Sequence, residues 1–135
     1  MASPVVVDTD VISFVIKHDT RAEQYKPHLE ERTLLISFMS VAEIDRWVLQ
    51  SNWGAKRLQS VEEVVDKFVF CEVNRTMCRI WGEISDGARR NGRTVNCSDA
   101  WVAATAIAFD VPLVTHNRSH FTGIDKLTVL SEAPG

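Results

Sequence analysis

The feature that most constrains this chain is a repeated change of hydrophobic period. Five short apolar runs stand out: Val5-Val6-Val7, Leu34-Leu35-Ile36, Phe68 to Val73, Val111 to Thr115 and Leu127 to Leu130. Between them lie longer stretches in which apolar residues recur at helical spacing. Short continuous apolar runs fit strands buried on both faces, and strands alternating with helices build a parallel sheet covered on both sides. With right-handed crossovers the expected architecture is α/β, a three-layer α/β/α sandwich. At 135 residues the chain is expected to form a single domain over 1–135, large enough to bury one continuous core.

The helical stretches follow from the same pattern. Val11, Ile12, Phe14, Val15 and Ile16 predict a helix directly after Asp8, and Arg21 to Glu31 a second, short one interrupted at Pro27. Val41 to Leu49 is a third, ended by Gly54, and Lys56 to Lys67 an amphipathic fourth. Asn74 is placed to cap a long helix that runs out at Arg89-Arg90-Asn91-Gly92. The segment from Asn96 to Phe109 is apolar almost all round, with Asp99 the one carboxylate at its entrance. Such a helix packs inside a domain, and an acid in its first turn interacts favourably with the helix dipole.

Several classes are set aside by composition. The longest apolar runs fall well short of the ~20 residues that span a bilayer, and the first residues lack a basic region and a long apolar core, so neither a membrane span nor export is expected. Cys71, Cys78 and Cys97 are odd in number and form no C-x-x-C pair, which fits reduced, mostly buried thiols in a cytoplasmic protein. A net charge of -3 argues against holding nucleic acid by bulk attraction, so a nucleic-acid ligand would need local basic groups or metal ions.

In open parallel sheets the ligand site lies beyond the carboxyl ends of the strands. Asp8 follows the first strand, Glu43 lies in the first turn after the second, Asp99 heads the helix feeding the fourth, and Asn117 follows the fourth. All four are thereby expected at one edge. Each also has a bland explanation. Ser40-Val41-Ala42-Glu43 fits a capping box, Asp8 and Asn117 fit helix caps, and Asp99 fits a dipole partner. The joint pattern favours a site. Acids gathered in a cleft repel one another and resist ionisation unless a cation joins them, and an oxygen-only set suits Mg²⁺ or Mn²⁺. Such ions neutralise phosphate charge, turn a bound water into a nucleophile and stabilise a leaving oxygen, the chemistry of phosphodiester hydrolysis.

The blocks Val-Val-Val-Asp8-Thr9, Ser40-Val41-Ala42-Glu43-Ile44, Ser98-Asp99-Ala100-Trp101-Val102-Ala103-Ala104-Thr105-Ala106 and Leu113-Val114-Thr115-His116-Asn117-Arg118-Ser119-His120-Phe121 together resemble the PIN-domain family, and within it the VapC-type toxins of toxin-antitoxin pairs. The resemblance spans essentially the whole chain and is most specific in the last two blocks. It implies a metal-dependent endoribonuclease with a five-stranded parallel sheet in the order 3-2-1-4-5. Asp8, Glu43 and Asp99 match the acids that hold Mg²⁺ or Mn²⁺, Thr115 and Asn117 the polar pair after strand four, and Thr9 and Ser40 hydroxyl positions beside the site. Many members carry a fourth acid where this chain has Asn117, which puts a second metal in doubt. The resemblance also implies an RNA substrate, a cognate antitoxin and a homodimer. Trp47 and Trp53, with Phe14 and Ile44, would then line a groove for an antitoxin segment, which should offer a basic side chain to the acids.

Among the remaining charges, Arg89 and Arg90 read as the end of an exposed helix, and Arg93, in the loop nearest the acids, as a phosphate contact. His116 and His120 are four apart, but no third or fourth zinc ligand stands nearby. Two other functions remain open. Val5-Val6-Val7-Asp8-Thr9-Asp10-Val11 also resembles the opening of haloacid-dehalogenase-like phosphatases, in which Asp8 would be a covalent nucleophile, though no later paired-acid motif supports it. A non-catalytic PIN-like binding module is the other.

Overall fold

The valines of the first strand lie at the centre of the molecule because they have no polar face to show to water. In the computed structural model, which describes residues 3–134, β1 (Val5–Val7) is fully buried. It pairs in parallel with β2 (Leu34–Ser37) on one side and β4 (Leu113–Val114) on the other. β3 (Val69–Cys71) extends the sheet beyond β2, and β5 (Val129–Leu130) beyond β4, in the order 3-2-1-4-5. The expected α/β sandwich and its strand order are both observed.

Alternation along β1 divides the core into two layers. Val5 and Val7 join an apolar cluster with α1 (Thr9–Ile16), α2 (Ala22–Leu29), α3 (Phe38–Ser51) and α4 (Ala55–Val65). Val6 faces the other way, packing with Leu35, Cys71 and the helix α6 (Cys97–Phe109), which lies along α5 (Arg75–Arg90). α6 buries Ala100, Val102, Ala103, Ala104, Thr105 and Ala106, and these small side chains let it sit close to the sheet. Asn74 caps α5 as expected, its side chain accepting from the Met77 amide at 2.9 Å.

Some boundaries differ from expectation for local reasons. α2 runs through Pro27 and ends two residues later, held by the fully buried Tyr25. α3 starts three residues earlier than expected, at Phe38, because Ser37 at the end of β2 serves as its cap and accepts from the Met39 amide. Ser40 is therefore inside the helix, Glu43 lies in its second turn, and the capping-box reading fails. Cys78 and Cys97 are exposed and only Cys71 is buried, against the expectation of mostly buried thiols. Among the described residues no helix is long and apolar enough to cross a membrane.

Candidate active site

The carboxyl edge of the sheet begins where β1 ends. Asp8 keeps extended backbone and caps α1, so the chain reverses from strand to helix at the acid itself. Its amide donates to the Val114 carbonyl of β4 at 2.8 Å. One carboxylate oxygen accepts from the Thr9 amide at 2.8 Å and the other from the Thr115 hydroxyl at 2.7 Å. Asp8 is only 5% exposed. Burial, then the charge of Asp10 and, more weakly, Asp99 push its carboxyl up to about 7, against the Thr115 and Thr9 hydrogen bonds that favour its charged form.

Asp10, two residues on, points to the same edge. Its oxygens accept from the Val11 amide at 2.7 Å and from the His116 amide beyond β4 at 2.9 Å. Burial also raises its pKa, with the nearby Asp99 adding to the effect. Asp99 lies in the first turn of α6, after Asn96, whose side chain caps the helix by accepting from the Ser98 amide and hydroxyl at 2.9 and 2.7 Å. Its side chain is 18% exposed, and its recorded partner is the His120 ring at 3.1 Å. Burial raises its pKa too, partly offset by His120. Asp8, Asp10 and Asp99 thus feel one another electrostatically.

Glu43 stands to one side of this trio. The Thr9 hydroxyl lies 2.8 Å from both a Glu43 carboxylate oxygen and the Ser40 hydroxyl. A hydroxyl carries one proton, so Thr9 can donate to Glu43 only while accepting from Ser40. Glu43 is therefore tied to the site through the residue that follows Asp8. Thr115 is fully buried between Asp8 and the Asn117 amide, which donates to its hydroxyl at 3.0 Å. Asn117 itself is exposed and heads the short 3-10 turn Arg118–Phe121 without a side-chain cap bond. Among the acids and amides of this edge, the inward position beside β4 belongs to Asp10.

Arg93 is engaged with the loop after the 3-10 turn. Its guanidinium donates to the Thr122 carbonyl at 2.7 Å and lies over Gly123. Arg89 and Arg90 pair with Asp86 on α5, as an exposed helix end should. His116 and His120 have separate partners: the His116 ring is 2.6 Å from the buried Tyr25 hydroxyl, and His120 faces Asp99. Phe14 and Ile44 are core residues, 6% and 1% exposed, so they line no groove; Trp47 and Trp53 remain half-buried, edge to face at 4.7 Å. Lys17 and Arg57 lie over those two rings.

Asp10, His120 and Tyr25 are not among the site residues that the sequence predicts. For Asp10 a signal was present. A cap residue and the residue two places later both project from a helix entrance, so Asp8-Thr9-Asp10 offered two acids to one edge. For His120 and Tyr25 no local signal exists, since each finds its partner across the fold.

The donor set is all oxygen, buried enough to resist ionisation, and each carboxylate oxygen already accepting one hydrogen bond keeps a further lone pair. That chemistry fits a hard divalent cation. Among the described residues no three His, Cys, Asp or Glu side chains are grouped to hold an ion as they stand. The protein would supply part of a coordination sphere, which suits Mg²⁺, an ion that keeps several waters.

This fold and edge define the chain as a member of the PIN domain family, whose sequence profile matches residues 5–127. It is similar to the ribonuclease VapC1 of Haemophilus influenzae strain R2866, 24% identical over 124 residues that cover 90% of this chain and 92% of that protein. Its fold is similar to that in VapBC2 from Rickettsia felis bound to a promoter DNA fragment, with a TM-score of 0.84 and 21% identity over 95% of this chain and 98% of that one. VapBC-5 of Mycobacterium tuberculosis, from the VapBC family of toxin-antitoxin systems, is similar at a TM-score of 0.71 and 21% identity, covering 96% and 98%.

Proposed function

We propose that the chain is a metal-dependent endoribonuclease that hydrolyses phosphodiester bonds in single-stranded RNA and serves, in the cytoplasm, as the toxin of a toxin-antitoxin pair. The observation that carries this reading is the placement of Asp8, Asp10 and Asp99 at one sheet edge, Asp8 and Asp10 tied to the residues after β4 and Asp99 in the first turn of α6, with burial raising all three carboxyls. Anions held this close are stabilised by a cation between them. Asp8, Asp99 and Asp10 would hold Mg²⁺ or Mn²⁺, with Glu43 approaching from α3. The ion supplies charge neutralisation at the phosphate and activation of water for attack.

The chain's own residues prepare that site. Thr115 and the Thr9 amide hold the Asp8 carboxylate in one orientation. Thr9 and Ser40 set the direction of Glu43, and His120 steadies Asp99. Asn117 contributes a polar group beside Thr115. Membership of the PIN domain family and similarity to a ribonuclease support the same assignment. The toxin role draws on the similarity to VapBC assemblies, and it carries with it an antitoxin partner and a homodimer. The Trp47 and Trp53 surface, edged by Lys17 and Arg57, is the antitoxin contact in this reading.

A phosphatase that uses Asp8 as a covalent nucleophile is disfavoured by membership of the PIN domain family and by the similarity to a ribonuclease. The deciding assay offers the purified protein a single-stranded RNA with Mg²⁺ or Mn²⁺, with and without chelator, beside Asp99→Asn. Cleavage should fall at least ~100-fold under either change. Cleavage that survives both would overturn the proposal, and RNA left intact by the metal-loaded wild type would favour a non-catalytic binding module.

A further inference from the structure

Beside Asp99 opens a cleft of about 490 Å³, between the loop that enters α6 and the 3-10 turn after β4. Arg93, Asn96 and Asp99 line it from the α6 entrance, and Ser119, His120 and Thr122 from the turn after β4. The volume is within the range of small-molecule sites, and Arg93, Asn96, Asp99, Ser119 and His120 bring hydrogen-bonding and charged groups to a lining that also includes Val95.

The cleft holds one cation in a fixed posture. Arg93 gives one guanidinium nitrogen to the Thr122 carbonyl, and its other N–H groups have no recorded protein acceptor among the described residues. Gly123 is what allows this posture. A Cβ at Gly123 would overlap the guanidinium, and its φ of +81° is one that side chains other than glycine's rarely accept. Asn96 is likewise half used. Its carbonyl oxygen takes both hydrogen bonds from Ser98, which leaves its amide N–H₂ free to donate.

We propose that this cleft seats one nucleotide of a single RNA strand, adjacent to the phosphodiester at the acids. The proposal rests on the ribonuclease reading and adds the subsite and its anchors to it. Arg93 grips the phosphate of the seated nucleotide, since a pre-oriented guanidinium pairs with phosphate oxygens through parallel N–H donors. Asn96 addresses the base or ribose with its free amide. The cleft thus carries the Arg93 guanidinium and the Asp99 carboxylate in one lining. A strand running between the two meets a phosphate-binding group at one residue and the acids at the next. It also explains how a chain of net charge -3 can hold RNA without a broad basic face.

Two readouts test the cleft separately from the chemistry. Fluorescence anisotropy with a labelled single-stranded RNA in chelator reads binding alone; cleavage with Mg²⁺ or Mn²⁺ reads activity. Arg93→Ala should weaken binding and raise KM by about tenfold, with kcat changed less than twofold, and should reduce the slope of log affinity against log salt by roughly 0.7, the value for one single-strand phosphate. Gly123→Ala, which leaves every polar side chain in place, should reproduce the KM effect by displacing the guanidinium. Thermal melts establish that each variant is folded, and Arg93→Ala carries the test if Gly123→Ala is not. Binding and KM unchanged in a folded Arg93→Ala would overturn the proposal. Wild-type protein that binds RNA through Arg93 but never cuts it would defeat the ribonuclease reading and leave the cleft standing.

Discussion

Two helix entrances face each other at the carboxyl edge of the sheet, and they hold their acids in opposite ways. At α1, Asp8 is buried, caps its own helix and spends both oxygens on the Thr9 amide and the Thr115 hydroxyl. At α6, the capping is done by Asn96, and Asp99 is left partly exposed with the His120 ring beside it. The first acid is part of the framework, because moving it would break the join between β1, α1 and β4. The second is adjustable, on a helix whose stability does not depend on it. An anion fully buried in the framework costs the fold more than one at a capped, half-open entrance. The pair therefore combines an acid locked by the fold with one held by a single ring contact.

The largest effect should come from neutralising either acid. Under the proposed metal-dependent mechanism, Asp8→Asn and Asp99→Asn are each expected to lower RNA cleavage by about 100- to 1,000-fold, since each would remove charge from the proposed cation site. Their effects on folding should part company. Asp8→Asn should raise the melting temperature of the metal-free protein at pH 8, and Asp99→Asn should leave it nearly unchanged. Equal shifts in the two variants would break the contrast between framework and adjustable acid.

Next in size is the pH dependence of stability. An acid raised from 3.8 to about 7 in the folded state, as Asp8 is, binds its proton more tightly when folded than when unfolded. Its contribution is fully present below pH ~4, is lost as pH climbs through about 7 and is constant above that. Melting in chelator should show wild-type stability falling across this window and Asp8→Asn falling less. Mg²⁺ should restore stability at pH 8 and do little at pH 5, where protonated Asp8 is a poor ligand. A metal effect independent of pH would argue that Asp8 stays ionised throughout.

Smaller still is Thr115→Val, which removes one donor from a buried carboxylate. A cost of about 1–3 kcal/mol is expected at pH 8, together with an upward shift in the acid limb of the activity profile, because the charged form of Asp8 loses support. Denaturant melts and rate profiles measure the two. The smallest change should follow Asn96→Ala, which takes the cap from α6 and costs about 1 kcal/mol. That loss should appear with no shift in the acid limb, in contrast to Thr115→Val.

Much of this arrangement could be read along the chain because it is local. Val5 to Asp8 and the first turn of α1 are contiguous, and a cap residue is recognisable from its neighbours alone. The role of Glu43 was harder. Ser40-x-x-Glu43 satisfies the capping-box pattern, yet Ser37 takes the cap because β2 delivers it to the helix entrance first. Asn117 follows β4 as expected, while Asp10 reaches the His116 amide only because β4 pairs with β1. Arg93 was assigned a phosphate without a reason for its posture, which comes from Thr122 and Gly123 some 30 residues away.

The sequence by itself determined the layering of this protein and the carboxylates at its strand-to-helix junctions, because hydrophobic period and helix entry are set by near neighbours. Only the tertiary structure decided which groups meet. Thr115 reaches Asp8 across 107 positions and the His116 amide reaches Asp10 across 106, contacts created when β4 pairs with β1. Local patterning gives each strand its two faces, but which junctions share an edge follows from the order in which the strands lie side by side.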